Sequence, residues 1–243
     1  MPRHRLFLKS PIAAGRRVDV EGERAHYVNR VLRLKKGDEL IVFCGDGREY
    51  PGRVVESRKT RVVVLTGDAV TRDSESSLAI RLVQGVSRGE RMDFAVQKST
   101  ELGVSEIVPV QTAFSVVKLS GDRAERRMLH WQKVAQSACE QCGRNRVPAV
   151  AAPVPLSRYL GADSDAELRL AFTPGVGGTL DDVRDTPRSI DVLIGPEGGL
   201  SDQEIGDVTT AGFMPVSLGR RVLRSETAAL AALAVLQSRW GDL

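Results

Sequence analysis

The chain has 243 residues, of which 42% are hydrophobic and 27% are charged. This composition is typical of globular proteins, and the length allows one large domain or two smaller ones. No apolar run approaches the roughly 20 residues that a membrane-spanning helix needs, and no signal-peptide core follows the basic N-terminus. A cytoplasmic protein is therefore expected.

The positive charge of the chain lies in its first third. Residues 1–72 contain 16 Lys and Arg against 9 Asp and Glu, a net charge of +7, whereas residues 73–243 contain 19 against 22, a net charge of −3. This asymmetry favours a polyanion-binding module joined to a module with another purpose. A well-solvated basic surface without a ligand is the alternative.

The first 70 residues predict a small β-barrel. Short runs rich in β-branched and aromatic residues predict strands, and Asp46-Gly47 predicts a hairpin turn between two of them. One helical patch is expected over 23–34, and the polar segment 71–77 is expected to be a linker. Several short strands in such a segment are typical of a small barrel. The predicted strands are 5–8, 39–43, 52–55 and 61–65.

From residue 78 onward, predicted strands and helices alternate. Asp122 and Ser201 are expected to cap helices, each with a glutamate three residues later as in a capping box. Alternation of this kind predicts an α/β domain with a mainly parallel sheet, so the domains are expected to be 1–72 and 73–243. The predicted strands are 78–86, 106–110, 168–172, 190–194 and 216–218. The predicted helices are 90–102, 122–143, 201–210 and 226–240.

Cys139 and Cys142 form a C-x-x-C motif, which must be weighed as a metal or redox site. A zinc site needs about four ligands, and no second cysteine pair or histidine cluster accompanies this one. Cys142 also continues an apolar helical stripe with Trp131, Ala135 and Ala138. We therefore expect no metal, and interpret Cys142 as a buried structural thiol with Cys139 beside it.

Three glycine-bearing loops follow three predicted strands in the second half of the chain. In open α/β sheets ligands bind at the carboxyl ends of strands, and glycine lets the backbone approach a flat ligand closely. No loop matches the dinucleotide or phosphate-loop signatures. Each loop alone could be a simple turn, but the three together predict a ligand site. They are Thr173-Pro174-Gly175, Gly195-Pro196-Glu197-Gly198-Gly199, and Leu218-Gly219 continuing to Arg224.

Polar residues in and directly after these loops could have a ligand-binding role or a structural role. Glu197 could anchor a ligand or hold a loop, or it could accept hydrogen bonds from its own turn. Ser225 is a candidate N-cap of the last helix, and Glu226 would favour that helix N-terminus. Neither role accounts for Arg224, whose guanidinium suits a carboxylate or a phosphate.

Two further groups of polar residues could contact RNA. Arg88, Arg91 and Lys98 lie in or before a predicted helix, where an ordinary solvated face with Glu–Lys pairs is the alternative. In the basic module, His26 could stack on a base, whereas Tyr27 is more typical of a core residue. The residues expected to contact phosphates through charge are Arg3, Arg5, Arg30, Arg33, Lys35 and Lys36.

Five motifs, in order along most of the chain, together resemble one known family. They are His26-Tyr27-x-x-x-Val31-Leu32-Arg33, Gln97-Lys98-x-Thr100-Glu101-Leu102-Gly103-Val104, Glu140-Gln141-x-x-Arg144, Ile194-Gly195-Pro196-Glu197-Gly198-Gly199-Leu200-Ser201-x-x-Glu204 and Leu218-Gly219-x-x-Val222-Leu223-Arg224-x-Glu226-Thr227-Ala228. The sequence thereby resembles the 16S ribosomal RNA (uracil-N3)-methyltransferases of the SPOUT superfamily.

The resemblance implies an N-terminal PUA-like β-barrel that binds RNA and a SPOUT-type α/β domain with a C-terminal trefoil knot. It also implies a homodimer in which RNA of the small ribosomal subunit reaches both subunits. S-adenosyl-L-methionine would bind in the glycine loops, where backbone groups read the adenine edge. The implied cofactor-binding residues are Thr173, Pro174, Gly175, Leu193, Gly195, Glu197, Gly198, Leu218, Gly219, Leu223, Thr227 and Ala228.

The chemistry of the implied reaction suggests catalytic residues. Uracil N3 is protonated at neutral pH, so the proton must leave before the lone pair can accept a methyl group. A cation could stabilise the developing anion and a carboxylate could accept the proton, and Arg224 and Glu226 are the candidates. Two alternatives stay open: another methyltransferase of the same superfamily, and a non-catalytic RNA-binding protein.

Overall fold

The computed structural model describes residues 4–72 and 74–243, which fall into two units. The first unit combines the N-terminal residues up to Glu75 with Cys139–Val147, and the second combines Ser76–Ala138 with Pro148–Leu243. Arg3, one of the predicted RNA contacts, lies outside the described residues. No helix in the described ranges is long and apolar enough to span a membrane.

The first unit is built on a curled six-stranded sheet with the order β1-β3-β4-β5-β2, and β6 pairs with β4. The β1–β3 pair is parallel and the other pairs are antiparallel. Alternate residues such as Leu40, Val42, Val62 and Val64 fill one core, as the period-two pattern of a half-buried strand requires. The strands are β1 Arg5–Phe7, β2 Arg17–Glu21, β3 Glu39–Phe43, β4 Arg48–Arg58, β5 Arg61–Thr66 and β6 Val70–Thr71.

The helical patch of this unit is shorter than predicted. Helix α1 covers Gly22–His26 and continues as a π-helix over Tyr27–Val31. Arg33 then takes a φ of 56°, in the left-handed region that bulky residues rarely adopt, so the helical backbone cannot reach residue 34. Val31, the last residue of the π-helix, is 62% exposed.

A segment distant in sequence completes the first unit. Glu140 accepts a hydrogen bond from the Phe7 backbone N–H at 2.8 Å and forms an ion pair with Arg24. Arg144 pairs with Glu75 at 2.7 Å. The motif residue Glu140 therefore binds this segment to β1, and the motif residue Arg144 binds it to Glu75, which follows the sheet in sequence.

The C-x-x-C motif in this segment differs from the prediction. Cys139 is fully buried and Cys142 only partly so, which reverses the expected assignment. A hydrogen bond with Cys142, together with burial, raises the pKa of the Cys139 thiol. Within the described ranges, no cluster of three or more His, Cys, Asp or Glu could hold a metal ion.

The second unit has a parallel sheet with the order β10-β8-β7-β12-β11-β13, and β9 pairs with β8. Its strands are β7 Ala79–Gly85, β8 Glu106–Gln111, β9 Ala149–Val150, β10 Val154–Pro155, β11 Leu168–Phe172, β12 Ser189–Ile194 and β13 Met214–Val216. Its helices are α2 Glu90–Glu101, α3 Gly121–Cys142, α4 Leu156–Leu160, α5 Asp202–Thr210 and α6 Ser225–Trp240. The last four residues of α3 belong to the first unit.

The ends of helices and strands in this unit test the predicted caps and the predicted strand bounds. The capping box of Ser201 and Glu204 is confirmed at the start of α5. Helix α3 begins at Gly121, so Asp122 lies inside its first turn instead of at the N-cap. Strand β13 ends at Val216, where the sequence predicted that it begins.

A buried carboxylate links three strands in the amino-terminal half of this sheet. Asp191 on β12 is 1% exposed and accepts hydrogen bonds from Tyr159 at 2.8 Å and Ser164 at 2.7 Å. Arg81 lies 3.0 Å and Arg169 3.4 Å from its oxygens. Burial, followed by the charge of Asp191, raises the pKa of the Tyr159 hydroxyl. This cluster holds β7, β11 and β12 together at the end remote from their carboxyl termini.

Candidate active site

A cavity of about 550 Å³ lies where β11, β12 and β13 end, in the size range of small-molecule sites. Its walls are the three glycine-bearing loops, here residues 172–174, 194–200, 217–219 and 221–225, and Arg91 and Ala228 also line it. The carboxyl ends of parallel strands meet at one edge of a sheet, which explains why loops far apart in sequence converge.

Nine of the twelve predicted cofactor residues line this cavity: Thr173, Pro174, Gly195, Glu197, Gly198, Leu218, Gly219, Leu223 and Ala228. Three do not. Leu193 is fully buried in the apolar core of the sheet, and Gly175 makes an exposed turn with a φ of 70°. Thr227 lines a neighbouring groove.

Two glycines let the backbone approach more closely than any side chain would permit. A Cβ atom on Gly85, at the end of β7, would lie 2.3 Å from the backbone nitrogen of Pro196. A Cβ atom on Gly198 would lie 2.7 Å from Cβ of Phe114. The loop after β12 therefore packs closely against β7 at Gly85 and against Phe114 at Gly198. The sequence pattern predicts no role for Gly85.

A buried chain of hydrogen bonds connects β7, the loop after β12 and the start of α6. The Gln84 side-chain amide donates to Ser225 Oγ at 2.8 Å, and Ser225 Oγ donates to the Gly195 carbonyl oxygen at 2.6 Å. Both side chains are almost fully buried. The N-cap prediction for Ser225 is wrong, because Arg224 occupies that position and Ser225 is already helical. The serine hydroxyl positions a cavity wall instead.

Glu197 holds a loop. Its Oε1 accepts hydrogen bonds from the Arg88 backbone N–H and from the Arg91 guanidinium, both at 3.1 Å. Burial raises the pKa of the Glu197 carboxyl, but these donors outweigh it, so the pKa lies below its ordinary value. The charged carboxylate thus fixes the segment between β7 and α2 against the cavity.

The two candidate catalytic residues line different cavities. Arg224 is exposed and lines the 550 Å³ cavity, whereas Glu226, two residues later, lines a second groove of about 670 Å³ between α2, α3 and α6. Glu226 Oε2 is buried and has no hydrogen-bond partner among the described residues. Arg91 lines both spaces and marks where they adjoin.

Arg5 requires a correction as an RNA contact. Its side chain is only 8% exposed and forms an ion pair with Glu49. It also donates to Asn145 Oδ1 at 2.6 Å and lies 4.8 Å from the centre of the Phe43 ring. A guanidinium enclosed in this way stabilises the first unit and has little surface left for phosphate.

The other predicted RNA contacts are more accessible. Arg88 and Arg91 are exposed on the second unit, although both bind Glu197, and Lys98 pairs with Glu101 at 2.8 Å as the helix-face alternative expected. Tyr27 is half-buried against the core of the first unit. Five exposed side chains fall in one short segment of that unit: His26, Arg30, Arg33, Lys35 and Lys36.

Comparison with known protein families gives two matches in chain order. An RNA methyltransferase PUA domain family matches residues 20–66, and an RNA methyltransferase domain family matches residues 74–237. The chain is 31% identical over 239 residues to the ribosomal RNA small subunit methyltransferase E of Buchnera aphidicola subsp. Schizaphis graminum, covering 98% of this chain and 97% of that protein. It is 31% identical to the Bacillus subtilis protein of the same name, over 89% of this chain and 88% of that one.

Two solved structures resemble the whole chain. A methyltransferase from Legionella pneumophila, solved with its bound cofactor S-adenosylmethionine, superposes with a TM-score of 0.94 at 38% identity and 98% coverage of both chains. The ribosomal RNA small subunit methyltransferase E of Neisseria gonorrhoeae, bound to S-adenosylmethionine, gives a TM-score of 0.92 at 37% identity and 99% coverage of both chains.

Proposed function

Because the chain belongs to the RNA methyltransferase family whose members include the ribosomal RNA small subunit methyltransferases E, we propose that it methylates N3 of a specific uridine in 16S ribosomal RNA, with S-adenosyl-L-methionine as the methyl donor. The observation that carries this proposal is the cavity formed by three glycine-bearing loops at the ends of β11, β12 and β13.

The cavity suits an adenosine-containing ligand. Its volume of about 550 Å³ holds a molecule of that size, and its walls combine glycine-rich loop backbone with apolar side chains such as Phe172, Ile194 and Leu218. Close backbone packing at Gly85 and Gly198 sets the position of the loop after β12, which a side chain at either position would displace. When bound, the sulfonium supplies an electrophilic methyl group, and the loops orient it.

The uridine must lose its N3 proton as the lone pair attacks the methyl carbon. We assign stabilisation of the negative charge on the uracil oxygens to Arg224, which lines the cavity and is exposed to an incoming base. We assign acceptance of the N3 proton to Glu226, whose buried Oε2 atom lacks a partner among the residues described. The base would then lie near Arg91, where the cavity and the groove adjoin.

The first unit would hold the RNA backbone. Its five exposed basic or aromatic side chains between residues 26 and 36 fall inside the segment that matches the PUA family. Phosphate binding depends on charge more than on exact side-chain geometry, which fits residues on a short helix and in the irregular segment after it. Arg3, Arg88, Arg91 and Lys98 are proposed as further RNA contacts, whereas the enclosed Arg5 is left out.

Three further properties complete the proposal. The three loops would form a C-terminal trefoil knot around the cofactor, which ordinary connection rules do not generate. Two copies would form a homodimer, with RNA reaching both. The substrate, in the small ribosomal subunit, would place the protein in the cytoplasm. Support for these properties comes from the family resemblance.

Product analysis tests the proposal. The protein is incubated with S-adenosylmethionine carrying a labelled methyl group and small ribosomal subunits that lack the modification, and the RNA is digested to nucleosides. We expect the label in 3-methyluridine at one position. Label in a ribose, a guanine or another base would contradict the uridine-N3 assignment and favour another methyltransferase of the superfamily.

Binding of the cofactor distinguishes a non-catalytic RNA-binding protein from the proposed enzyme. For a non-catalytic protein, titration calorimetry would show no saturable heat with S-adenosylmethionine. The proposed enzyme gives one saturable site per chain, because each chain contributes one complete set of three loops.

A further inference from the structure

An exposed aromatic residue packs against a loop that lines the cavity. Phe114, between β8 and α3, is 50% exposed, and only 11 of the 243 residues are Phe, Tyr or Trp. Isolated exposed hydrophobic residues are normal on protein surfaces, so exposure alone carries no conclusion. The inference depends instead on the position of this ring and on the hydrogen bonds that hold its loop.

The loop that carries Phe114 is fixed at both ends. The Gln111 side chain donates to the Leu119 carbonyl oxygen at 2.9 Å and accepts from the Leu119 backbone N–H at 2.7 Å, which closes the base of the loop. Inside it, the Ser115 hydroxyl accepts from the Thr112 backbone N–H at 2.9 Å.

The residue before Phe114 is also tied down. The Ala113 backbone N–H donates to Glu204 Oε1 at 2.8 Å, which anchors the loop to the start of α5. Thr112 and Ser115 are buried, whereas Phe114 projects to solvent. A loop held in this way presents the ring in a defined place before any ligand arrives.

Phe114 directly contacts the wall of the cavity. An added Cβ on Gly198 would lie 2.7 Å from Phe114 Cβ and 3.5 Å from its Cγ, so the ring begins against the loop that lines the site. Arg91, Arg221 and Arg224 line the same cavity. An exposed aromatic face on one side of the Gly198 loop, together with guanidinium groups in the cavity that this loop lines, provides for both parts of an unpaired nucleotide, the flat base and the anionic phosphate.

We propose that the Phe114 ring is the stacking surface for the unpaired RNA base that enters the cavity. This inference rests on the proposed function, because it assigns a binding residue for that substrate. The target uridine has to leave its stacked neighbours to reach the methyl donor, and an aromatic ring against the Gly198 loop replaces part of that stacking. Loss of one base–aromatic stack weakens binding by roughly 5- to 100-fold.

Two substitutions of Phe114 test the proposal. Phe114→Leu keeps an apolar side chain of similar size but removes the aromatic face, and Phe114→Trp keeps that face. We expect Phe114→Leu to raise the KM for RNA by about tenfold while the Kd for S-adenosylmethionine stays unchanged. The KM of Phe114→Trp for RNA should stay close to the wild-type value. The matched control is Val116→Ala, a 54% exposed residue of the same loop, which should behave as wild type.

A binding measurement keeps the test independent of catalysis. Addition of a short single-stranded oligouridine should quench the fluorescence of the tryptophan in Phe114→Trp, and Phe114→Leu should bind the oligomer more weakly by anisotropy. Unchanged RNA affinity in Phe114→Leu, or an equal loss in Val116→Ala, would overturn the proposal. A change in oligomeric state on sedimentation, with RNA affinity intact, would overturn it too, since the ring would then belong to an interface between copies. Absence of methylation by wild type would refute the proposed function instead.

Discussion

The two units carry their candidate binding residues in different ways. In the first unit these residues are exposed basic side chains on a short helix and in the segment that follows it, and each acts largely on its own. In the second unit the candidate site is made of three loops, brought together by glycines, buried hydrogen bonds and strand ends. Single substitutions should therefore have graded effects in the first unit and abrupt effects in the second.

The largest effect is expected at Arg224. Arg224→Ala removes the proposed cation from the cavity and should lower kcat by roughly 100- to 1,000-fold, as for loss of one preorganised stabilising donor. The Kd for S-adenosylmethionine should change little. Steady-state methylation at saturating RNA and cofactor measures kcat, and Arg220→Ala, an exposed arginine of the same loop that does not line the cavity, is the control. An unchanged rate in Arg224→Ala would remove Arg224 from catalysis.

Gly85→Ala tests the backbone packing of the cavity. The new methyl group would lie 2.3 Å from the Pro196 nitrogen, so the loop after β12 must move. Because displacement of a reacting group by about 1 Å can cost on the order of 100-fold in rate, methylation should fall by about that factor.

The affinity of Gly85→Ala for S-adenosylmethionine should fall as well, measured by calorimetry. Gly206→Ala on α5 is the matched control, because its methyl group would meet no atom within 4 Å. That substitution should stabilise the protein by about 0.5–1 kcal/mol through helix propensity. Equal cofactor affinity in both variants would contradict the close-packing account.

Ser225→Ala breaks the hydrogen-bond chain between Gln84 and Gly195. It leaves a buried amide and a buried carbonyl without their partner, which costs about 1–3 kcal/mol. We expect a lower melting temperature and about tenfold weaker cofactor binding, since the freed groups hold a cavity wall. Ser157→Ala, an exposed serine on α4, controls for loss of a hydroxyl. If Ser225→Ala lowers the melting temperature but leaves the cofactor affinity unchanged, the hydrogen bonds between Gln84, Ser225 and Gly195 have a purely structural role.

In the first unit, Lys35→Ala and Lys36→Ala should each weaken RNA binding by a modest factor and leave cofactor binding intact. Each lost phosphate contact lowers the slope of log affinity against log salt by roughly 0.7 to 0.9. Anisotropy titrations at several salt concentrations measure this slope, with Lys59→Ala as an exposed control outside the predicted set. A salt slope identical to that of wild type would exclude both lysines from phosphate contact.

The smallest effect is expected at Glu197. Its pKa in the folded protein lies below the ordinary value of about 4.5, so the carboxylate contributes stability above that pH and loses it as the pH falls through the folded-state pKa. Glu197→Gln should lower the melting temperature at neutral pH, and the difference should shrink in acid. A difference that is constant with pH would show that the Arg88 and Arg91 contacts do not depend on the charge.

Features with local sequence signals were predictable. The bounds of β3 and β11 follow from runs of β-branched, aromatic and apolar residues, and the capping box of α5 follows from Ser201 with Glu204. The convergence of the glycine loops follows from the rule for strand ends in α/β sheets. The family was predictable because its motifs run through most of the chain.

Features that depend on distant contacts were not predictable. Nothing near residue 140 indicates that Glu140 would bind β1 of the N-terminal sheet. Strand β2 has only two apolar residues, and its partner β5 determines its structure. Ser225 has the residue type of an N-cap, but the Gly195 carbonyl takes its hydroxyl. Arg5 is basic like its neighbours, and only Glu49 and Asn145 show that it is enclosed.

The most direct test of the contrast between the units is calorimetric titration of S-adenosylmethionine into three proteins: wild type, Gly85→Ala and the double variant Lys35→Ala/Lys36→Ala. We predict one saturable site per chain in wild type and in the double-lysine variant, and strongly weakened binding in Gly85→Ala. Absence of saturable binding to wild type, or weakened binding in the double-lysine variant alone, would contradict the assignment of the methyl donor to the glycine-loop cavity of the second unit.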